Sequence, residues 1–395
     1  MKKLKTYFCE DDYMKFGIGA IFKDELDYIL EWLAWHRIAG FSKFFIADNG
    51  SIDGTRELLE SLEMAGLIDL IYISPQPKAQ LLAYNQILNI FGGEVDAIAF
   101  IDADEFIFSD DKTKPVDHLR YLFSPLHIGA VGINWRIFGS SGKEDYEEGL
   151  VVERFVKCAE NDHQKNRYMK QIVRPSCIKT ISVHHSDLIQ EFQYIDCKGN
   201  DVIFTNEKGK KCNHPSGCCE ITESPLRIHH YIVKSRKEYI EKKQKRGDAM
   251  VGHDYNRGDS YFLHHDLNDC EFNQFSFFSK DIYREIKKIK SQLIPTGFYD
   301  DVLGSIGKCN SDMVGGWAFS EKRKIKILIF VNGEMRAAIW AINYRIDLIQ
   351  AGISKHGFCG FHHNFNPPLN AGDVVHVSVY ANPFKFPQRS ITVIE

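Results

Sequence analysis

Short apolar runs alternate with amphipathic stripes through the first hundred residues, and no other feature constrains the fold as much. The segments "FGIGAIF" (16–22), "KFFIAD" (43–48), "LIDLIYI" (67–73) and "AIAFI" (97–101) read as buried strands. After the first of them Leu26, Ile29, Leu30, Leu33 and Ala34 recur at helical spacing, with Asp24 placed to cap the helix and Gly40 to end it. Residues 56–65 and 79–91 read as two further helices. Strands joined by helices of this length pair in parallel through right-handed crossovers, so the spacing predicts an open α/β sheet. Sheets of that kind take ligands beyond the carboxyl ends of their strands. Three polar clusters fall there: Lys23-Asp24-Glu25, Asp48-Asn49-Gly50-Ser51 and Asp102-Ala103-Asp104-Glu105.

The third cluster lies within "DAIAFIDADEFIF" (96–108). On an extended backbone Asp102 and Asp104 project to one side, about 7 Å apart, and Glu105 to the other. Two carboxylates so placed repel unless a cation or a proton lies between them. A hard divalent ion, Mg²⁺ or Mn²⁺, takes such oxygens and keeps positions for water and phosphate. A D-x-D can equally cap a helix or line a surface turn; its place after a buried strand favours the ion.

At 395 residues the chain exceeds one typical core, so two domains are expected. Residues 1–298 carry the α/β pattern, less regular after 110. After Ile294-Pro295 the texture changes: "KIKILIFVNGEMRAAIW" holds an Asn332-Gly333 hairpin signal and "AGDVVHVSVYAN" adds an alternating strand. Residues 303–395 therefore read as a small all-β, sandwich-like domain. A net charge of −4 offers no field for nucleic acid, and the basic run at 234–246 is the one local exception. Glu10, Asp11 and Asp12 interrupt the N-terminal lysines before any signal-peptide core, and no run approaches the roughly 18 apolar residues of a membrane span. A cytoplasmic location, or the inner face of the cytoplasmic membrane, is the expectation. The ten cysteines are scattered and read as free thiols. The Cys212…Cys219 cluster, with His214, lacks the paired spacing of a zinc site.

Several motifs together identify a family. "AIFKDELDYILEWLAWHRIAGFSKFFIADNGSIDGT" resembles the opening of nucleotide-diphospho-sugar glycosyltransferases of the family-2-like and family-92 branch. "QLLAYNQIL", "AFIDADEFIF", "WRIFGSSG", "GLVVERF" and "HHYIVKSRKEYIEKKQKRG" follow in that branch's order. The resemblance spans roughly residues 16–250. It implies a GT-A fold, a UDP-sugar donor and a bound Mn²⁺ or Mg²⁺. Asp102 and Asp104 match the D-x-D, with Asp104 as the direct metal ligand and Asp102 nearer the ribose. Glu25 and Asp48 match nucleotide-facing positions, and Asn49 stands where many relatives carry a second Asp. His230 matches a histidine beside the metal and diphosphate, although His229 replaces the usual Asn. Lys234, followed by Arg236 and Lys237, is expected to neutralise the leaving UDP. Asp53 is read as a cap for the helix beginning near Thr55.

Trp135, with Gly139, Ser140 and Ser141, combines an aromatic platform with small and hydroxyl groups, which suits a sugar acceptor; core packing is the alternative for Trp135. The resemblance implies an inverting transfer, which needs a base to deprotonate the acceptor hydroxyl. Glu153, Asp145 and Asp187 are the candidates, Glu153 first, with a salt-bridge role as its alternative. Lys242, Lys243, Lys245 and Arg246 are expected on a solvated face or against anionic lipid. The function expected is transfer of a sugar, galactose by family weight, to a glycan or lipid-linked saccharide in surface polysaccharide or lipooligosaccharide synthesis. A non-catalytic glycan-binding protein retaining the fold is the competing reading. A nucleotidyltransferase is disfavoured by the lack of a Gly-rich phosphate loop near the N-terminus.

Overall fold

The computed structural model describes residues 14–205, 217–218, 220–245, 250–251, 257–293, 297–298, 300–387 and 390–394. Its first part is built as the alternation predicts. Strands β1 (Phe16–Phe22), β2 (Lys43–Asp48), β3 (Asp69–Tyr72) and β4 (Ala97–Phe100) alternate with helices α1 (Ile29–Ile38), α2 (Thr55–Met64) and α3 (Ala79–Phe91). They pair in parallel in the order β3-β2-β1-β4. Both faces of this sheet are covered, which is why its strands carry apolar residues without alternation. Phe16, Ile18, Ala20 and Phe22 pack on one side with Trp32, Leu33 and Trp35 of α1. Phe45, Ile98 and Phe100 pack on the other with Tyr84 and Ile87 of α3.

Beyond β4 the sheet becomes mixed, because loops rather than crossover helices join the later strands. β5 (Glu105–Ser109), helix α4 (Pro115–Leu122) and the wholly buried β6 (Ile128–Ile137) come next. Met169–Val173 lies between β4 and β6, antiparallel to both. Leu226–His230 runs parallel to β6 and antiparallel to β5, and Gln193–Asp196 also pairs with β6. These directions bring different strand ends to one edge. The carboxyl ends of β1, β2, β4, β6 and Leu226–His230 meet there with the amino ends of β5 and Met169–Val173. The sheet thus delivers Asn49, Asp102, Trp135, His230, Glu105 and Lys170 to neighbouring places.

From Leu303 onward the described residues form two four-stranded antiparallel sheets around their own core, which includes Ile327, Ile329, Phe361, Val375 and Val377. The expected hairpin is present: Lys326–Val331 pairs with Glu334–Trp340. Its turn residues Asn332 and Gly333 both take positive φ, 50° and 85°, as a two-residue hairpin requires. The anticipated boundary at Ile294-Pro295 lies outside the described residues, as do the N-terminal segment through residue 13 and, apart from Cys218, the Cys212…Cys219 cluster.

Close packing of the central strand gives a test. A Cβ on Gly19 of β1 would stand 2.7 Å from the Phe100 ring, which is fully buried. Gly19→Ala is expected to lower stability by about 1–3 kcal/mol, the usual cost of overpacking, read as a fall in the urea midpoint. An unchanged midpoint would show that the ring yields freely.

Candidate functional site

A cavity of about 660 Å³ opens at the edge where these strand ends meet. Its floor is the loop between β4 and β5, and that loop is clamped from behind by α1. The Trp32 indole donates to the Asp102 carbonyl (3.2 Å), and the Trp35 indole to the Ile107 carbonyl (2.9 Å). His36 spans the two, with Nδ1 2.8 Å from the Trp32 carbonyl and Nε2 accepting from the Ile107 N–H. Burial drives the His36 pKa down to about 3, so the ring is neutral and serves as a fixed donor and acceptor. Glu31 accepts the N–H groups of Val151 and Val152 (2.7 and 3.1 Å), at the start of the short helix Val151–Arg154. The E-W-x-x-x-H motif is therefore a brace for the acidic loop.

The three carboxylates of that loop have separate fates. Asp102 Oδ1 accepts from Gln80 Nε2 (2.6 Å), and its Oδ2 lies 2.9 Å from Nζ of the fully buried Lys170. Burial pushes the Asp102 carboxyl up, but the Lys170 ammonium outweighs it and holds the group below the usual carboxylate range. Asp104 places Oδ1 3.3 Å from His230 Nε2 and Oδ2 2.6 Å from Lys243 Nζ. Burial opposes its ionisation too, yet Lys243 and His230 hold it well below the usual value. Glu105 turns the other way, as the strand geometry predicts. It accepts the Asp102 N–H (2.9 Å), lies 3.9 Å from Lys170, and is pushed well above the carboxylate range by burial.

His230 itself is kept neutral, its pKa lowered by burial against the pull of Asp104. A neutral imidazole beside a carboxylate suits a divalent ion. His230 Nδ1 and Glu105 Oε1 are both buried without a hydrogen-bond partner and lie 3.7 Å apart. At that distance they are not hydrogen-bonded, but the placement is one from which an acidic side chain can orient a metal-ligating imidazole. The residues present therefore fit an ion held by Asp104 and His230, with Asp102 committed to Gln80 and Lys170. Among the described residues no three His, Cys, Asp or Glu side chains converge to form a closed metal site. A Mg²⁺-type ion commonly takes one or two protein ligands and fills the rest with phosphate and water.

Other expected residues divide. Glu25, Asn49 and Trp135 border the cavity. Asn49 Oδ1 and the Trp135 indole nitrogen are buried without a partner among the described residues. Asp48 does not border it: its Oδ2 pairs with Arg56 (2.7 Å) and its Oδ1 accepts the Ser51 N–H. Asp53 was expected to cap α2, but the N-cap is Gly54, and Asp53 accepts the Thr55 N–H (2.9 Å) from one residue further out. Lys234 sits one step back, with Nζ 4.2 Å over the Tyr28 ring in a small crevice.

The expected acceptor loop and the expected bases lie elsewhere. The Ser140 N–H donates to Asp266 and the Ser141 N–H to Asn268, while Ser141 Oγ accepts from Val156 and Lys157. A Cβ on Gly139 would strike Leu267 and Asn268. These residues tie loops together. Glu153 is exposed and accepts from Tyr283 (2.9 Å), Asp145 is 80% exposed beside Lys237, and Asp187 is exposed on a two-residue strand. None of the three borders the cavity.

Corrections run the other way as well. Lys243, expected on a solvated face, instead lines the cavity at the end of a π-helical turn (Tyr239–Lys243) and pairs with Asp104. Of its basic neighbours, Lys242 pairs with Asp27, Lys245 is exposed, and Arg246 lies outside the described residues. Sequence reasoning missed Lys170, His184, Arg257 and His265, which reach the site from distant segments. Gln80 lay within a quoted motif, "QLLAYNQIL", without being assigned a role.

The family model "Glycosyltransferase family 92" matches residues 18–218. A family 92 protein of Oryza sativa subsp. japonica is 24% identical over 190 residues, covering 48% of this chain and 32% of its own length. One from Arabidopsis thaliana is 22% identical over 174 residues, 42% of this chain and 30% of its own. The matched region thus spans about a third of these curated relatives. Among solved structures, Staphylococcus aureus TarS aligns with 96% of this chain and 77% of its own at 11% identity and a TM-score of 0.29. Glucosyl-3-phosphoglycerate synthase from Mycobacterium tuberculosis, solved with Mn²⁺, UDP and phosphoglyceric acid, covers 42% and 57% at 15% identity and a TM-score of 0.24. Scores this low add nothing to the sheet order described above.

Lys170 is the most consequential of the missed residues. Lys170→Met would remove the cation from beside Asp102, whose side chain is 31% exposed, and from beside the fully buried Glu105. The expected loss is about 3–5 kcal/mol, as for other broken buried pairs, measured by denaturant unfolding at neutral pH. A loss below about 1 kcal/mol, the scale of an exposed pair, would contradict the ion pairing described.

Proposed function

The chain belongs to glycosyltransferase family 92, and on that premise we propose that it transfers a sugar from a UDP-sugar to a saccharide hydroxyl with the help of Mn²⁺ or Mg²⁺. One observation carries this reading. The Asp104–His230 pair shares a single cavity with the cationic side chains of Lys23, Lys165, Lys243 and Arg257. A diphosphate leaving group needs that combination, because its departure concentrates negative charge at one point. When bound at Asp104 and His230, the ion would neutralise part of that charge.

The protein's own groups do the rest. Asn49 borders the cavity, and its amide is of the kind that pairs with a uracil edge. Lys243 and Arg257 bring positive charge to the phosphates. Trp135, Tyr168 and His184 form an aromatic wall, with Trp135 and Tyr168 rings 5.2 Å apart and 27° from parallel, against which the CH face of a sugar can rest. Lys170 and Gln80 hold Asp102, so the loop need not rearrange during the reaction. Inversion at the anomeric carbon and galactose as the sugar rest on the family resemblance, and a glycan or lipid-linked acceptor at the inner membrane face completes the proposal.

Turnover of a UDP-sugar panel with and without Mn²⁺ tests it, with Asp104→Ala alongside the wild type. Chelation is expected to stop turnover. Asp104→Ala is expected to lower kcat by about 10²–10³-fold, the scale of losing one fixed electrostatic partner. Turnover indifferent to both would reject the metal-assisted reading.

A further inference from the structure

Transfer to a hydroxyl needs a group to receive its proton, and the carboxylates expected for that task lie outside the cavity. Those inside are engaged: Asp102 by Gln80 and Lys170, Asp104 by His230 and Lys243, and Glu25 by a partner of its own. His184 is different. Its Nδ1 lies 3.1 Å from the Met169 carbonyl oxygen, which can only accept, so Nδ1 carries the proton and Nε2 keeps its lone pair. Nε2 has no partner among the described residues, and the ring borders the cavity. The Trp135 ring meets it nearly edge-on at 5.4 Å, and Tyr168 lies 5.9 Å away. Trp135 is 9% exposed and borders the same cavity, while its indole nitrogen is itself buried and has no partner among the described residues. One wall therefore sets an accepting ring nitrogen beside two aromatic side chains.

Resting on the UDP-sugar reading above, we infer that His184 is the general base of the transfer, with the acceptor sugar lying beside the Trp135 and Tyr168 rings. The acceptor O–H bond breaks and its proton passes to Nε2. The freed oxygen pair forms the new bond to the anomeric carbon. The bond from that carbon to the diphosphate oxygen breaks, and its electron pair leaves with UDP. The imidazolium then returns its proton to water.

The charges facing His184 act in both directions. Burial, with the Lys170 ammonium behind it, lowers its pKa to about 4, so the ring awaits the proton unprotonated; His230 adds to this, and Asp102 favours the imidazolium once formed. The other free imidazole of the cavity, His265, donates from Nδ1 to the Tyr261 carbonyl (2.7 Å) and stands among Lys165, Lys243 and His230. Two ammonium groups oppose a proton there, against one at His184, where Asp102 also offsets it.

The test compares wild type, His184→Gln, His184→Ala and His265→Gln in the full chain, reading UDP-sugar turnover, UDP affinity in Mn²⁺ by calorimetry, and rescue by added imidazole. Loss of the base is expected to lower kcat by about 10²–10⁴-fold while UDP affinity stays within about threefold, and imidazole should restore part of the His184→Ala rate. The inference is overturned if His184→Gln keeps its kcat, if UDP affinity falls with the rate, if imidazole restores nothing, or if only His265→Gln loses turnover. A wild type that binds UDP but turns over no UDP-sugar defeats the functional reading itself, a result distinct from all of these.

Discussion

A single buried ammonium makes the acidic loop possible. Asp102, Asp104 and Glu105 fall within four residues at the edge of a sheet whose interior excludes water, and uncompensated carboxylates there would be prohibitive. Lys170, with no exposure of its own, stands between Asp102 and Glu105. It can do so because Met169–Val173 runs antiparallel to β4 and β6 and so begins at the binding edge. A parallel strand in that place would have offered Val173 instead. The reversal of direction at the middle of the sheet is thus a requirement of the site's charge balance. With Lys170 in place, Asp102 becomes a fixed structural charge and Asp104 is left as the carboxylate with an outward task.

The same logic explains how α1 is used. A buried loop carries backbone groups that must be paired, and α1 supplies the partners: Trp32 for the Asp102 carbonyl, Trp35 and His36 for Ile107. Glu31 extends the brace to residues 151–152, and Tyr28 extends it to Glu238 at 2.7 Å. Glu238 also caps its own helix with Ser235 and pairs with Arg154, which together hold its pKa down to about 2 despite burial. The next turn of that segment carries Lys243 to Asp104. One helix therefore positions the floor of the cavity and, through Glu238, the lysine that enters from its side.

What could be read from the sequence follows from how far each interaction reaches along the chain. β1 to β4 and their helices were legible because apolar period and capping are local signals, and the carboxyl-edge rule then located Glu25, Asn49 and Asp104. His230 and Trp135 were legible only through family motifs. Lys170, His184, Lys243 and His265 were not, since each comes to the site from roughly 65 to 165 residues beyond the acidic loop, and no local pattern marks a lysine as buried. Ser140, Ser141 and Glu153 show the opposite error. Hydroxyls and carboxylates in a loop resemble ligands until their partners, here Asp266, Asn268 and Tyr283, are known.

Asp48 joins the site to the β-rich region. It was expected to face a nucleotide, but Arg56 of α2 takes its Oδ2, and the same guanidinium lies 4.2 Å over the ring of Phe330 in the C-terminal sheets. Glu60 of α2 accepts the Ala381 N–H (3.1 Å), and Ser61 donates to the Ala381 carbonyl (2.9 Å). This is why α2 buries Arg56, Glu57, Glu60 and Ser61 on a face that a two-layer α/β unit would leave in water. The C-terminal sheets therefore rest on the helix that follows β2, and through Arg56 and Asp48 they bear on the turn that presents Asn49 to the cavity. Their loss would unsettle one wall of the binding site even though none of their residues borders it.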